Sequence, residues 1–293
     1  MTKRIFMIIF LLFLTLIINK SLSQNNQPMY GVTIDAVNNI NNIVNTLGHH
    51  SKRMTTRIVF DEWIPAADYQ NVVNRIDSVS DIMGEILDSY YMEQYSVQQY
   101  KDRVLEYCGL LNNKVDYWEI GNEVNGEWLG HKDSVIEKIT YAYAYCHKRG
   151  YKTVLTLYYN HNCWEHPQNE MFRWVNENVP YKMKVGLDYV LVSYYEDDCN
   201  NYQPNWQQVF DSLRIIFPNS KLGIGECGTS VKSRKSSYIT RYYTMNITTP
   251  GYIGGYFWWY YRQDCVPYTT KPLWQVLENA INNEYDFVEP GDY

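Results

Sequence analysis

The sequence predicts an α/β fold of the (β/α)8 TIM barrel type, in which eight parallel strands close into a cylinder and helices surround them. Short runs rich in β-branched and aromatic residues alternate with amphipathic helical segments, which is typical of a parallel sheet covered by helices. No Pro/Ser-rich or charged linker interrupts this alternation. The chain of 293 residues also has a suitable length, since such barrels typically need about 250 residues. A doubly wound open sheet is the competing architecture, but no glycine fingerprint follows the first strand.

The first segment of the chain is expected to be a secretory signal peptide (1–23), followed by a single catalytic domain (24–293). Two basic residues precede an apolar run, 5–18, and small residues follow it before Gln24, which is the order that a signal peptide requires. The apolar run is shorter than the roughly 18 residues expected of a membrane span, and an uncleaved anchor is the alternative. We therefore expect a secreted, extracellular protein that is free of the membrane after cleavage.

Eight strands are expected in the remaining chain, each marked by β-branched and aromatic residues between turn signals. They cover 29–35, 55–61, 81–88, 115–123, 152–160, 187–196, 221–228 and 251–261. Helices are expected between them, including 96–111, 133–150, 205–217 and 272–283. In the second of these helices, Ile136, Ile139 and Tyr143 recur at helical spacing and so predict one buried face.

Charge and composition narrow the class of function. The formal net charge is -6, from 26 Lys and Arg against 32 Asp and Glu, which leaves no basic footprint for nucleic acid. Aromatic residues make up 16% of the chain and suit either a large core or a surface that stacks on sugar rings. His161 and His166 lack the H-E-x-x-H spacing of a zinc helix, and no C-x-x-C pair is present. Neither a metal nor an organic cofactor is therefore expected.

Two carboxylates stand out at the C-terminal ends of the expected strands, where barrels of this type carry their function. Glu123 ends the fourth strand, and Glu226 lies near the end of the seventh. Opposite strands face each other across the mouth, so the two side chains are expected to converge on one bound bond. Retaining glycoside hydrolysis uses such a pair, one as acid/base and one as nucleophile. Partial burial and the like charge nearby would raise one pKa, so that this group holds a proton near neutral pH.

The stretches that carry these glutamates resemble a known group of enzymes. "WEIGNE" at 118–123 and "LGIGECG" at 222–228 look like the acid/base and nucleophile motifs of the clan A glycoside hydrolases. The resemblance implies that Glu123 is the general acid/base and that Glu226 is the nucleophile of double-displacement hydrolysis. It also implies that Asn122 binds the 2-hydroxyl of the reacting sugar.

Three further residues take roles from the same resemblance. Arg57, on the second strand, would hold Glu226 ionised by its positive charge. Tyr194, at the end of the sixth strand, would donate a hydrogen bond to the nucleophile. Trp258, on the eighth strand, would form the floor under the reacting sugar, whereas Trp259 would point to the opposite face of that strand.

Other residues near the strand ends have a structural alternative. Glu119 lies on the same strand face as Glu123, and we expect it to be a buried, hydrogen-bonded carboxylate with a structural role. Trp128 and Trp164 lie in the loops after strands four and five, where they either stack on substrate sugars or pack within their loops. Asn246 begins an Asn-Ile-Thr acceptor sequence for glycosylation.

Six cysteines in a secreted chain predict disulfides. Their places in the expected barrel favour three pairs, because the members of each pair lie on neighbouring elements. The expected pairs are Cys163 with Cys199, Cys227 with Cys265, and Cys108 with Cys146.

These patterns favour a retaining O-glycoside hydrolase that is a monomer and acts on an oligo- or polysaccharide. The aromatic strand ends suggest an open cleft and endo action on a β-linked chain, glucan or mannan-like. An exo-acting β-glycosidase, a non-catalytic carbohydrate-binding barrel and a barrel with unrelated chemistry are the alternatives. The sequence also leaves open whether water or a second sugar accepts the glycosyl group.

Overall fold

Residues 28–283 are described by a computed structural model, in which eight parallel strands form a closed barrel. Each strand pairs with the next along the chain, and β8 pairs with β1 to close the sheet. The strands are β1 (Met29–Ile34), β2 (Thr55–Val59), β3 (Asp81–Glu85), β4 (Tyr117–Gly121), β5 (Lys152–Tyr158), β6 (Tyr189–Tyr194), β7 (Lys221–Cys227) and β8 (Tyr252–Trp258). The predicted barrel and its eight strands are confirmed, while the expected signal peptide, 1–23, lies outside the described residues.

Helices connect the strands and cover the outside of the barrel. They are α1 (Ile40–Leu47), α2 (Ala66–Asp77), α3 (Val97–Leu111), α4 (Lys132–Lys148), α5 (Met171–Asn178), α6 (Tyr181–Gly186), α7 (Trp206–Ile216), α8 (Lys235–Tyr243), α9 (Tyr261–Cys265) and α10 (Leu273–Asn282). Single 3-10 segments follow β3 (Ser89–Gln94) and β6 (Glu196–Cys199). The start of α3 is fixed by a capping box, in which Ser96 and Gln99 each accept a hydrogen bond from the backbone of the other. Within the described part of the chain, no helix is long and apolar enough to cross a bilayer.

The apolar core has two parts. A large cluster fills the space between the strands and the helices, where Ile58, Tyr107 and Phe210 are fully buried. A smaller cluster consists of Met83, Val154, Tyr189, Leu191 and Phe257. Its members come from β3, β5, β6 and β8, which are not all neighbours in the sheet, so they meet inside the barrel. The interior is therefore packed, and the polar groups within it rest on a rigid base.

Breaks in the strand register occur next to the groups that face the mouth. The β6–β7 register shifts between Val192 and Ser193, which places Ser193 opposite Glu226. The β4–β5 register shifts between Glu119 and Gly121, at the end of β4. Irregularities of this kind re-aim side chains and are common beside active sites.

One of the three expected disulfides is present. Cys163 and Cys199 are bonded, with their Cα atoms 5.5 Å apart, and so join the loop after β5 to the 3-10 segment after β6. This pair confirms the prediction made from neighbouring strands.

The other two expected disulfides are wrong, because all four remaining cysteines are free and buried. Cys108 and Cys146 lie close, but their Sγ atoms are 3.8 Å apart and pack as two thiols between α3 and α4. Cys227 donates a hydrogen bond to the backbone oxygen of Tyr256 instead of bonding to Cys265. Neighbouring elements bring cysteines near each other, but only side-chain direction decides whether they bond.

Candidate active site

Glu226 lies near the end of β7, where fixed donors hold it from two sides. Arg57 Nη1 donates a hydrogen bond to Glu226 Oε2, and Tyr195 Oη donates one to Oε1 at 2.5 Å. The strand of Arg57, β2, is not a neighbour of β7, so the first of these contacts crosses the barrel interior. Both oxygens of the carboxyl group are thus oriented by partners on other strands.

Arg57 is fully buried and faces two carboxyl groups besides Glu226. Its Nε donates to Glu119 Oε2 at 2.7 Å, and its Nη2 donates to Glu119 Oε1 at 3.2 Å. Glu85 Oε2 lies 3.1 Å from Nη2, although neither oxygen of Glu85 has a hydrogen-bond partner among the residues that the structure describes. Thr156 donates a further hydrogen bond to Glu119. Glu119 is therefore a buried carboxylate that orients Arg57, in agreement with the structural role expected from the sequence.

Glu123 lies two residues after the end of β4 and has a left-handed backbone, with φ of 46°. Residues other than glycine adopt this conformation only where the surrounding structure imposes it, and such residues cluster at functional sites. The buried carboxyl group accepts hydrogen bonds from Ser193 Oγ at 2.5 Å and from Ser89 Oγ at 3.0 Å. Burial, followed by the charge of Glu226, raises the pKa of Glu123 to about 8. The group therefore holds a proton at neutral pH and is suited to donate it.

The charge state of Glu226 is set by opposing effects. Burial raises the pKa of Glu226 above its ordinary value, whereas the charge of Arg57 and the hydrogen bonds from Tyr195 and Arg57 lower it. Burial also raises the pKa of Tyr195, so its hydroxyl keeps the proton that it donates. Among the described residues, no cation forms an ion pair with Glu123 as Arg57 does with Glu226. The two carboxyl groups thus have environments that suit different protonation states.

Asn122 precedes Glu123 and is almost completely buried. Its Oδ1 accepts a hydrogen bond from the backbone N–H of Ser89 at 3.1 Å, but its Nδ2 has no hydrogen-bond partner in the described part of the chain. A buried donor without a partner is costly, and an oxygen of a bound ligand would satisfy it. Trp128 Nε1 donates to Ser89 Oγ at 3.0 Å, so the exposed ring of Trp128 is tied to the same loop.

Tyr194 was expected to donate a hydrogen bond to Glu226, but the next residue in the chain, Tyr195, is the donor. Tyr194 is buried, and its Oη donates to the backbone oxygen of Tyr202 at 2.6 Å. Successive side chains of an extended chain point to opposite faces. Tyr194 therefore packs away from the nucleophile, against rings such as Tyr159, while Tyr195 reaches Glu226.

Trp258 does not form the floor of the site, contrary to the expectation. It is fully buried, and its Nε1 donates to Asp264 Oδ2 at 3.0 Å. Trp259 lies near the charged groups instead, with its ring centroid 5.8 Å from Arg57 Cζ. The backbone has positive φ from Gly254 to Phe257, which breaks the alternation from which the faces of the strand were inferred.

The remaining predicted residue packs within its loop. Trp164 is partly buried, and its Nε1 donates to the backbone oxygen of His161 at 2.7 Å, which fits the packing alternative stated above. Four residues of the site were missed by the sequence analysis: Glu85, Ser89, Ser193 and Tyr195. A fifth, Trp259, was assigned to the opposite face of its strand. Of these, Glu85 had a readable signal, because an isolated carboxylate inside an apolar strand run is the same pattern that drew attention to Glu119.

Comparisons with solved structures show a similar barrel in Saccharomyces cerevisiae Gas2p. The Gas2p complex with laminaritriose and laminaritetraose matches with a TM-score of 0.55 and 12% identity, over 90% of this chain and 66% of that chain. The Gas2p complex with laminaripentaose matches with a TM-score of 0.56 and 12% identity, over 90% of this chain and 67% of that chain. This chain thus spans about two thirds of the length of the Gas2p chains, and at this identity the likeness shows the fold.

The sequence itself gives no closer relative in these comparisons. Neither the family models nor the curated proteins include a match to this chain. What can be said of its chemistry therefore depends on the residues of the site.

Proposed function

We propose that this protein is a retaining glycoside hydrolase that cleaves a β-linked glucan. The observation that carries the proposal is the contrast between two neighbouring carboxyl groups at one end of the barrel, Glu123 and Glu226. Glu123 holds a proton at neutral pH, while Glu226 is oriented by Arg57 and Tyr195. Retaining hydrolysis needs this division between a proton donor and a nucleophile. The resemblance of the two strand motifs to clan A glycoside hydrolases supports the same assignment.

The proposed reaction proceeds by double displacement. Glu226 attacks the anomeric carbon of the bound sugar while Glu123 gives its proton to the departing glycosidic oxygen. The bond to the leaving group breaks as an ester bond to Glu226 forms. Glu123, now a carboxylate, then removes a proton from water, whose oxygen displaces Glu226 and restores both groups. If a sugar hydroxyl takes the place of water, the product is a transferred glycan.

The neighbouring residues have defined parts in this reaction. Arg57 and Tyr195 orient Glu226 and offset the cost of its negative charge in a buried site. Asn122 Nδ2, which has no hydrogen-bond partner within residues 28–283, donates to the 2-hydroxyl of the reacting sugar. Ser193 and Ser89 hold the carboxyl group of Glu123 in place.

The proposed substrate class is a β-linked glucan, with laminari-oligosaccharides as the first choice. The support is twofold: Gas2p, which shares the barrel, binds laminari-oligosaccharides in its complexes, and exposed aromatic rings surround the mouth of this barrel. Endo action is part of the proposal.

The experiment that tests the proposal is the trapping of a covalent intermediate. The mature protein is incubated with activated 2-deoxy-2-fluoro glycosides of glucose and of mannose, and its intact mass is measured. A glucosyl adduct on the peptide that contains Glu226 is expected. An adduct with mannose alone would contradict the glucan assignment, and an adduct on any other residue would contradict the assigned nucleophile.

Two substitutions separate catalysis from binding alone. Glu226→Gln is expected to reduce kcat by several orders of magnitude while binding of oligosaccharides is kept. Glu137→Gln, on the exposed face of α4, is the matched control and is expected to leave kcat unchanged. A wild-type protein that binds laminari-oligosaccharides without any turnover would identify a carbohydrate-binding barrel instead.

We also propose that the enzyme acts outside the cell. The support is the order of basic, apolar and small residues in 1–23. Sequencing of the N-terminus of the protein recovered from the medium of expressing cells is expected to begin near Gln24. Retention of the intact segment on membranes would show that it is an anchor.

A further inference from the structure

Exposed aromatic rings are concentrated at one end of the barrel. Within residues 28–283, five large aromatic side chains are exposed: Trp63, Tyr90, Trp128, Tyr181 and Tyr202. Four of them lie in the loops that follow β2, β3, β4 and β6, at the end that carries the candidate active site. The exception, Tyr181, begins α6, which leads to the opposite end of β6. Chance exposure of apolar side chains would not favour one face in this way.

Trp63 is held as a flat platform after β2. Its ring stacks on Tyr95 with the centroids 3.9 Å apart and the planes at 9°, while 52% of the residue is exposed. The Trp63 backbone N–H donates to Tyr95 Oη at 2.6 Å, and Tyr95 is itself buried. Trp63 also has a positive φ of 60°, which is a strained conformation for a bulky residue. The protein therefore fixes an exposed ring at an energetic cost.

Tyr202 forms a second platform after β6. Its ring stacks on His161, which follows β5, with the centroids 4.3 Å apart and the planes at 5°. His161, like Trp63, has a positive φ, here 39°. The loop is tied down by the hydrogen bond from Tyr194 to the Tyr202 backbone and by the disulfide that joins Cys199 to the β5 loop. This ring is also fixed, and it is partly open to solvent.

The two platforms lie on opposite sides of the barrel mouth. In a closed barrel of eight strands, β2 and β6 are four strands apart in either direction. Trp63 is six residues from Arg57, so at most about 20 Å of extended chain separates them. That reach keeps the ring of Trp63 at the same end of the barrel as Glu226. A ligand that contacts both platforms must therefore cross the mouth.

We propose that the rings of Trp63 and Tyr202 bind sugar units at the two ends of a glycan chain that spans the active site. This inference rests on the proposed function, and it gives a structural basis for endo action. Each ring presents one free face, whose negative π charge attracts the C–H groups on the flat side of a pyranose. The other face of each ring is already covered by Tyr95 or His161.

The test compares binding of short and long chains. Laminaribiose and laminarihexaose are titrated calorimetrically into the Glu226→Gln protein and into the same protein with Trp63→Ala or Tyr202→Ala. Each alanine variant is expected to bind the hexasaccharide roughly three- to tenfold more weakly, with a smaller effect on the disaccharide. Trp63→Phe and Tyr202→Phe keep a ring and are expected to restore affinity. Tyr181→Ala is the control for loss of an exposed ring on another part of the surface.

The outcomes distinguish this inference from the proposed function. Equal affinities of the alanine variants and their parent for laminarihexaose would overturn the inference, as would equal losses for both chain lengths. Turnover of laminarihexaose by the wild-type protein is measured separately. If turnover is absent but the chain-length effect is found, the proposed hydrolysis is contradicted. The binding of sugar units by Trp63 and Tyr202 is then still supported. If the parent protein binds neither oligosaccharide, both proposals fail.

Discussion

Arg57 faces more negative charge than one guanidinium group can neutralise. Glu119 and Glu226 both accept hydrogen bonds from it, and Glu85 lies 3.1 Å away without a hydrogen bond of its own. Burial, more than any other effect, raises the pKa of Glu85 well above its ordinary value. The raised pKa favours the neutral form of Glu85, and a neutral Glu85 leaves Arg57 to Glu119 and Glu226, which it orients. Protonation of one of the three acids lowers the cost of burying them around a single cation.

Substitution of Glu85 and of Glu119 by glutamine should show which of the two side chains is charged in the folded protein. Glu85→Gln replaces a neutral acid by a group of similar shape and is expected to change the free energy of unfolding little at pH 5. Glu119→Gln removes one of the two acidic groups that accept hydrogen bonds from Arg57 and is expected to cost about 3–5 kcal/mol. Urea unfolding of both variants measures the difference. Equal destabilisation by the two changes would contradict a neutral Glu85.

The pH dependence of the Glu85→Gln effect has a definite sign. A carboxyl group whose folded-state pKa is raised contributes stability below its ordinary pKa, and this contribution is lost as the pH rises through the folded-state value. The Glu85→Gln variant has no carboxyl group at this position, so its stability is not lowered in this way as the pH rises. Its stability relative to the wild type is therefore expected to increase between pH 5 and pH 9.

The two catalytic candidates predict a bell-shaped pH profile for kcat/KM. Activity should rise as Glu226 loses its proton, at a pH above the ordinary glutamate pKa because burial raises it. It should fall as Glu123 loses its proton, near its pKa of about 8. Initial rates on laminari-oligosaccharides between pH 3 and pH 10 would measure both limbs. Activity that continues to rise above pH 9 would exclude Glu123 as the acid.

Substitution of Ser193 should shift only the alkaline limb of the pH profile, which reports the pKa of Glu123. Its hydrogen bond to Glu123 lowers the pKa of that group, against the larger effect of burial. Ser193→Ala is therefore expected to shift the alkaline limb to higher pH and to leave the acid limb in place. Ser237→Ala, at an exposed position on α8, is the matched control. A shift of the alkaline limb to lower pH would contradict the assignment.

At the scale of elements, the sequence predicted strands and their ends better than the direction of single side chains. The apolar runs and turn signals located all eight strands, and the strand ends brought Glu123 and Glu226 to the same face. Tyr194 was expected at the nucleophile from the resemblance alone. Side chains along the end of β6 alternate in the regular way, because Ser193 and Tyr195 reach Glu123 and Glu226 while Tyr194 packs away from them. The sequence does not show which of the two alternating sets faces the site.

The cysteines illustrate the same limit and give a prediction at this scale. The sequence placed each pair on neighbouring elements, but only the Cys163–Cys199 pair is bonded. Thiol titration of the protein unfolded without reductant is expected to find four free thiols. Cys163→Ser with Cys199→Ser is expected to cost about 2–4 kcal/mol of stability, because the unfolded chain loses a cross-link. If none of the six cysteines reacted as a free thiol, the result would support the three disulfides inferred from the sequence.

At the scale of the whole molecule, the two ends of the barrel have different residues and different tasks. The end that carries Glu123 and Glu226 has the unpaired amide of Asn122 and the exposed rings. The opposite end contains a cavity of about 470 Å³, lined by residues such as Tyr117, Tyr189 and Lys221. Its size alone does not make it the active site, because the candidate catalytic carboxyl groups are absent from its walls. In this fold, residues at the N-terminal ends of strands serve stability.

This division predicts opposite effects for two aromatic substitutions. Tyr189 begins β6, is buried, and packs edge-on against Tyr117 with the ring centroids 5.1 Å apart. Tyr189→Ala is expected to lower the free energy of unfolding by about 3–5 kcal/mol, because it opens a cavity in the interior. Its kcat/KM for laminarihexaose should remain that of the wild type at a temperature where the variant is folded.

Trp63→Ala should behave in the reverse way. Removal of its half-exposed ring, which stacks on Tyr95, is expected to lower the free energy of unfolding by no more than about 1–2 kcal/mol, while kcat/KM for laminarihexaose falls. Urea unfolding and initial rates, measured on both variants under the same conditions, provide the comparison. A loss of activity in folded Tyr189→Ala would show that packing at the N-terminal end controls the geometry of Glu123 and Glu226. The two ends of the barrel could then not be treated as separate.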